Sequence, residues 1–307
     1  MHSSPTSPKP ARSNQRLLIV DGHSYAYRAF FAIRRLTSPS GKATNAIYGF
    51  IRMIGKVQAL IKPSHILITW DGGLAAERME LLPEYKAQRA EMPSDLEQQL
   101  DQIVAYLKAS NIASFMRSGV EADDCIAAMT HQAVEAGMDV VIASSDKDFM
   151  QLVTPQVGLL NPSDKSEAIW GAEQVKAKTG VEPTQIVDWL SLIGDAVDNI
   201  PGVAGVGPKT ASDLLRQFGS VDELYRRLEE VASERLRTNL RAAAELVRRN
   251  QQLVRLNENV PCDLPLSEMA VQTGDYESLR ELFSGWGFRT LLHELEQAQV
   301  KAGDFFQ

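Results

Sequence analysis

The chain has 307 residues, 44% of them hydrophobic and 23% charged, which suits a globular protein of one large or two ordinary domains. No apolar run approaches the roughly 20 residues that a membrane-spanning helix needs, and residues 1–15, rich in serine and proline, lack the apolar core of a secretory signal. The net charge of −7 argues at first sight against a nucleic-acid partner, but the distribution of charge overturns that inference, as shown below.

Residues 1–15 are expected to form a disordered tail. Leu17-Leu18-Ile19-Val20 is then a wholly apolar run ending at Asp21-Gly22, the pattern of a buried strand that presents an acid at its carboxyl end. Tyr25, Tyr27 and Arg28 follow at helical spacing. His65-Ile66-Leu67-Ile68-Thr69-Trp70 repeats the device and ends at Asp71-Gly72; residues 139–145 repeat it again and end at Asp146-Lys147-Asp148. Between these runs lie helical patterns over about 44–61, 94–109 and 121–136, the second with Ser94 and Glu97 as a capping box and the third stopped by Gly137. Strands alternating with helices predict an α/β fold, a mostly parallel sheet with flanking helices on both faces. Ligands bind such sheets at the carboxyl ends of the strands, so Asp21, Asp71 and Asp146 are expected along one edge.

Residues 72–93 carry Arg78, Lys86 and Arg89 among Glu77, Glu80 and Glu84 with no apolar periodicity. Two readings stand, a solvated surface loop or a mobile basic flap over the site. Glu121, Asp123 and Asp124 open the next helix, where acids also suit the helix dipole alone. Cys125 and Cys262 are far apart with no partners at metal-ligand spacing, and free thiols in a reducing cytoplasm are expected.

The stretch 194–211 joins two kinds of chemistry. Asp195 and Asp198 lie three apart, on one face if helical, although alone they also fit an ordinary helix terminus. Gly202, Gly205 and Gly207 precede Lys209-Thr210-Ala211 at the start of a helix, a loop able to turn backbone N–H groups toward a phosphate. A glycine-rich turn alone is a common feature. With the strand-end acids, nine carboxylates could converge: Asp21, Asp71, Glu121, Asp123, Asp124, Asp146, Asp148, Asp195 and Asp198. Setting these nine aside changes −7 to +2 for the rest of the chain. Oxygen ligands without Cys or His select Mg²⁺ or Mn²⁺ rather than zinc, and so many acids suit two ions, an arrangement used in phosphodiester hydrolysis. Beyond about 184 the pattern is nearly all helical: 184–193, 208–218, 221–229, an arginine-rich stretch 231–257 (Arg235, Arg237, Arg241, Arg248 and Arg249), and 277–298 with Trp286 and Phe288 in the core.

These residues resemble the 5′ nuclease superfamily, specifically the 5′→3′ exonuclease domain of bacterial type I DNA polymerases and the related phage and flap endonucleases. The resemblance covers about 16–297 and rests on Val20-Asp21-Gly22 with Tyr27-Arg28, Trp70-Asp71, Tyr85-Lys86-Ala87-Gln88-Arg89, Glu121-Ala122-Asp123-Asp124, Ser145-Asp146-Lys147-Asp148, Gly194-Asp195 through Asp198-Asn199, and the segment 205–211. It implies a PIN-like or resolvase-like nuclease core over 16–182 with an arch at 72–93. A helical DNA-binding domain over 183–300 would follow, with a helix–hairpin–helix-type motif at 194–218. It also implies a first metal site around Asp21, Asp71, Glu121, Asp123 and Asp124, and a second around Asp146, Asp148, Asp195 and Asp198. Lys86 and Arg89 would contact the scissile phosphate. Tyr27, Arg28, Arg78, Gly202, Gly205, Gly207, Lys209 and Thr210 would contact DNA, with a potassium ion on the carbonyls of the glycine loop. One branch of the family lacks several of these acids, whereas this chain has every one. Glu77 and Leu82 depart from the family, which commonly has aromatic residues there.

The resemblance thus implies a free-standing, cytoplasmic, nucleoid-associated bacterial nuclease. It would act as a monomer on 5′ flaps, nicks, 5′ ends of duplex DNA and RNA primers, in lagging-strand processing and repair. Two other classes stay open: a structure-specific DNA-binding protein that cuts nothing, and a Mg²⁺-dependent small-molecule phosphatase, which would need neither the glycine loop nor the basic flap.

Overall fold

The computed structural model describes residues 15–304, with side chains through residue 300, so the tail expected over 1–15 lies outside the described residues but for Gln15. Six strands form one sheet in the order β3-β2-β1-β4-β5-β6. They are β1 (Arg16–Asp21), β2 (His65–Trp70), β3 (Ala113–Met116), β4 (Asp139–Ala143), β5 (Val157–Leu160) and β6 (Ile169–Trp170). All pairings are parallel except β5 with β6. The apolar runs explain the centre: Leu17 and Ile19 point into one core and Leu18 and Val20 into another, all four fully buried. A strand covered on both faces has no polar side to alternate with.

On one face lie α1 (Gly22–Ala32), α2 (Asn45–Ile61) and α4 (Ser94–Ala109), which pack around Leu18, Val20, Ile66 and Ile68. The opposite face takes α5 (Ala122–Glu135) and the helices of the later chain. The short α3 (Ala76–Leu81) leads out of the β2 end, and α6 (Ala172–Thr179) follows the sheet. The helices α7 (Ile186–Ile193), α8 (Pro208–Phe218), α9 (Val221–Arg226), α10 (Glu234–Ala242) and α11 (Ala244–Val254) contribute to the α5-side core. The last two, α12 (Tyr276–Trp286) and α13 (Arg289–Asp304), return to the other face, where Phe283, Trp286 and Phe288 pack with Tyr106 and Tyr48.

Four local expectations change. Ser94 caps nothing, because the chain enters α4 one residue earlier: Pro93 is the N-cap and its carbonyl accepts the Leu96 and Glu97 N–H groups. The segment 195–200 is not helical, since Asp195 and Ile200 exchange backbone hydrogen bonds of 2.8 and 2.7 Å across a tight turn. The arginine-rich stretch breaks into α10 and α11 at Ala243. Finally, 72–93 is no loose flap as a whole, because Arg78, Leu82, Tyr85 and Lys86 are buried.

Candidate metal and nucleic-acid site

The parallel sheet places the ends of β2, β1 and β4 side by side, and each delivers an acid to the same edge. Asp21 closes β1 and caps α1, its Oδ1 accepting the Ser24 N–H at 3.0 Å. Its Oδ2 accepts the Ser144 hydroxyl at 2.9 Å, and Ser144 Oγ in turn accepts the Asp146 N–H at 3.1 Å. Asp146 Oδ1 accepts the Asp148 N–H at 2.9 Å, opening the 3-10 turn Asp148–Leu152. Beyond β2, the Asp71 N–H donates to His23 Nδ1 at 3.1 Å. Glu121, Asp123 and Asp124 enter at the start of α5, which crosses the same edge.

The turn 194–202 brings in the last two acids. Gly194 has φ 73°, and a Cβ on Gly202 would sit 2.1 Å from the Ile193 carbonyl oxygen, so the backbone can double back here only without side chains. Ligand atoms of Asp148, Asp195 and Asp198 lie within 4.8 Å of one another. Beside that trio, a cleft of about 710 Å³ opens over the strand-end acids, lined by Asp21, His23, Tyr27, Arg28, Asp71, Arg89, Asp123 and Asp146 among others.

Electrostatics divides these acids. Burial pushes Asp21 up to about 6, with Asp146 and Asp71 adding repulsion against the bonds from Ser24 and Ser144. Burial and neighbouring aspartates also raise Asp146, and raise Asp123 and Asp148 well above the usual carboxylate range. Buried carboxylates are raised in this way when no cation offsets their charge. Glu121 is the opposite: burial favours its neutral form, yet Lys86 and Arg78 hold it below the ordinary value. Lys86 donates to Glu121 Oε2 through a short ion pair, beside the Tyr85 hydroxyl at 3.2 Å, and the Ala75 N–H binds Oε1 at 3.2 Å. Arg89 pairs with Asp198 at 2.6 Å and Lys147 with Asp195 at 3.0 Å.

Metal ions suit this donor set on a structural ground. Asp148 Oδ1 is buried with no hydrogen-bond partner, next to an all-oxygen cluster whose members repel one another. A hard divalent cation is the ligand that such a set of oxygens requires.

Two expected roles are corrected. Arg78 is buried and makes a bidentate pair with Asp124 at 2.7 and 2.8 Å, while its Nε and Nη2 also bind the Leu253 and Arg255 carbonyls. With its guanidinium spent on these partners and only 6% of the residue exposed, it offers little to a DNA backbone. Asp124 spends both oxygens on Arg78 and one of them also on the Asn257 N–H at 2.9 Å, so it is a structural anchor facing away from the cleft. Lys86 is likewise buried on Glu121, whereas Arg89 remains partly exposed at the cleft.

The proposed DNA contacts fall on two surfaces. Tyr27 and Arg28 line the cleft; Tyr27 stacks at 6.4 Å on Phe31, which is 68% exposed, and Arg28 donates to Ser163 Oγ at 2.8 Å. Gly205, Gly207 and Lys209 are exposed, with Gly202 and Thr210 half-buried, at the N-terminus of α8. Asn239 of α10 donates to the Ala204 carbonyl at 2.8 Å and so fixes the glycine loop. Arg237 and Arg241, in contrast, are engaged by Glu229. Sequence reasoning missed His23, Ser144, Lys147 and Asn239. His23 stands two residues after Asp21 and Lys147 next to Asp146, a signal that could have flagged them; nothing local marks Asn239.

Comparison with known proteins adds to this geometry. Residues 16–180 match the family model of the 5′-3′ exonuclease N-terminal resolvase-like domain, and 181–277 that of the 5′-3′ exonuclease C-terminal SAM fold. The chain is 35% identical to a 5′-3′ exonuclease of Aquifex aeolicus, over 92% of this chain and 95% of that one. It is 37% identical to DNA polymerase I of Bacillus caldotenax over 92% of its own length, but spans only 32% of that protein, as with most of the polymerases it matches. Among solved structures, the phage T5 5′-exonuclease with bound zinc superposes with a TM-score of 0.66 at 27% identity, covering 79% of this chain and 90% of that one. The catalytic core of Rad2 in complex with DNA substrate shares the fold, with a TM-score of 0.62 at 16% identity over 89% and 88% of the two chains.

Proposed function

The chain belongs to the 5′-3′ exonuclease family, and from that premise we propose that it is a structure-specific, divalent-metal-dependent 5′→3′ exonuclease and 5′-flap endonuclease on DNA. The observation that carries this reading is the cluster of strand-end and turn carboxylates around the unpartnered Asp148 oxygen, under a cleft with basic and aromatic walls. Asp21, Asp71, Asp123, Asp146, Asp148, Asp195 and Asp198 would hold Mg²⁺ or Mn²⁺, with Glu121 available once Lys86 leaves it. Two such ions would supply an activated water and stabilise the leaving oxygen.

The chain's own residues do the rest. Arg89 stands at the cleft wall, where its guanidinium can bind a phosphate oxygen, and Lys86 lies one turn behind it. Charge aimed at the scissile phosphate accelerates cutting where it strengthens in the transition state. Tyr27 offers a ring face to a base and Arg28 a charge to the backbone. The N-terminus of α8, with Lys209 and the exposed glycine loop, grips duplex phosphate away from the chemistry, and the loop carbonyls would take a potassium ion. The products are a 5′-phosphate and a 3′-hydroxyl.

The finer reading has the protein act as a monomer on 5′ flaps, nicks and RNA-primed ends at the bacterial nucleoid. No helix among the described residues is long and apolar enough to cross a membrane. The test is a 5′-labelled flap duplex incubated with Mg²⁺ or with a chelator. Short labelled products only with Mg²⁺ are expected; a stable complex with no cleavage under either condition would instead make this a DNA-binding protein that does not cut.

A further inference from the structure

The segment after α11 is held by bonds independent of the cleft to the start of α5, to the 3-10 turn 148–152 and to Arg117. The Leu256 N–H donates to Gln151 at 3.1 Å and the Asn257 N–H to Asp124 at 2.9 Å. Arg117 then holds the Pro261 carbonyl at 3.0 Å and the Asp263 carboxylate at 2.7 Å. Between those last two stands Cys262, half-buried, its Sγ 4.0 Å from the carbonyl oxygen of Cys125. The Cys262 thiol thus reaches the backbone of Cys125, 137 positions away in the chain, and the two side chains act on each other, Cys125 being pushed up and Cys262 held down.

We propose that Cys125 and Cys262 are a peroxide-responsive dithiol whose oxidation forms a disulfide between α5 and the segment after α11. This goes beyond the nuclease reading and does not depend on it. Cys262 is the accessible member, and its thiol is held below the ordinary value by the hydrogen bond from Cys125 and by Arg117. Cys125 is buried, which suits a resolving thiol rather than a first target. In the first step the Cys262 thiolate sulfur attacks one oxygen of hydrogen peroxide; the O–O bond breaks, hydroxide leaves and is protonated to water, and Cys262 becomes a sulfenic acid. In the second, the Cys125 thiol gives up its proton and its sulfur attacks the Cys262 sulfur. The S–O bond breaks, and the departing hydroxide takes that proton as water. Two thiols lose two electrons together, and one peroxide becomes two waters.

The link would close one residue beyond Asp124 and so fasten the returning segment to the helix that also carries Asp123. The test treats the folded chain with hydrogen peroxide, blocks free thiols, digests without reductant and weighs the peptides. The wild type should lose two hydrogen atoms and yield one peptide pair joining Cys125 to Cys262, split again by dithiothreitol. Cys262→Ser should yield no linked pair. Cys125→Ala should accumulate a Cys262 sulfenic acid that dimedone traps, which the wild type does not. Overoxidation of Cys262 to sulfinic or sulfonic acid with Cys125 still free, or a link that forms in urea but not in the folded protein, would overturn the proposal.

Discussion

If the cluster is built for cations, the chelated protein should become more stable when one of its uncompensated charges is removed. Asp21→Asn is the informative change because asparagine caps a helix as well as aspartate, so the bond to the Ser24 N–H survives. Its amide group can also donate to Ser144 Oγ in place of the bond now accepted from it. The carboxyl rises from an ordinary value near 3.9 to about 6 in the fold. At about 1.4 kcal/mol per pH unit, ionising Asp21 in the folded chain costs about 3 kcal/mol. Allowing about 1 kcal/mol for the rearranged Ser144 bond leaves a gain of about 2 kcal/mol, or about 4 °C in Tm at this size.

The sign with pH follows from the same numbers. A raised carboxyl binds its proton more tightly folded than unfolded, so wild-type stability falls as pH rises from about 4 to about 6, and the whole penalty is present above that. Asp21→Asn should therefore melt about 4 °C above wild type at pH 8 in chelator, with the gap closing toward pH 4. In saturating Mg²⁺ the order should reverse, because the wild type then gains more from binding. The assay is thermal unfolding of both proteins with chelator and with Mg²⁺ at the two pH values. A variant that melts several degrees below wild type at pH 8 in chelator would show that the carboxylate is structural and refute the argument.

Arg78→Ala should lower the chelated Tm by about 6 °C or more, since breaking a buried ion pair costs about 3–5 kcal/mol; an unchanged Tm with weakened DNA binding would return Arg78 to the DNA surface. Lys86→Ala should cut a flap substrate about 100-fold more slowly in single turnover while binding it in Ca²⁺ within a few-fold of wild type, and normal cleavage would remove Lys86 from the chemistry. Lys209→Ala should weaken binding and flatten the plot of log affinity against log salt by about one unit, recovering its cutting rate at saturating DNA. An unchanged slope would move the grip elsewhere.

What the sequence made legible was whatever one segment carries by itself. β1, β2 and β4 could be read because a strand buried on both faces is a continuous apolar run, and each ended visibly in an acid. β3 and β5 escaped: each is four residues long, the first half-exposed and the second interrupted by Gly158. The region 72–93 was misjudged because its burial depends on partners elsewhere. Arg78 and Lys86 are taken out of water by acids 46 and 35 positions away, and local composition holds no trace of such a pairing. Cys125 and Cys262 were set apart for the same reason. At Ser94 the motif was present, but the path of the chain through Pro93 used the backbone instead.

The nine acids sort by what the segment 72–93 does to them. Arg78, Lys86 and Arg89, all from 72–93, pair with Asp124, Glu121 and Asp198, and Lys147 pairs with Asp195. Among the described residues Asp21, Asp71, Asp123, Asp146 and Asp148 have no ion pair, and four of these five are the carboxyls that burial and repulsion raise. The segment 72–93 is thus an internal source of cations for the rim of the cluster, while its centre is left in charge deficit. Lys86 and Arg89 cannot give the same hydrogen bonds to Glu121 or Asp198 and to a substrate phosphate. If they act on phosphate, the carboxylates they leave must gain another positive partner, since a buried charge stripped of its partner is costly. Substrate and divalent cation should therefore strengthen each other's binding by the same factor, with the ion pairs of Lys86 and Arg89 as the physical link between them.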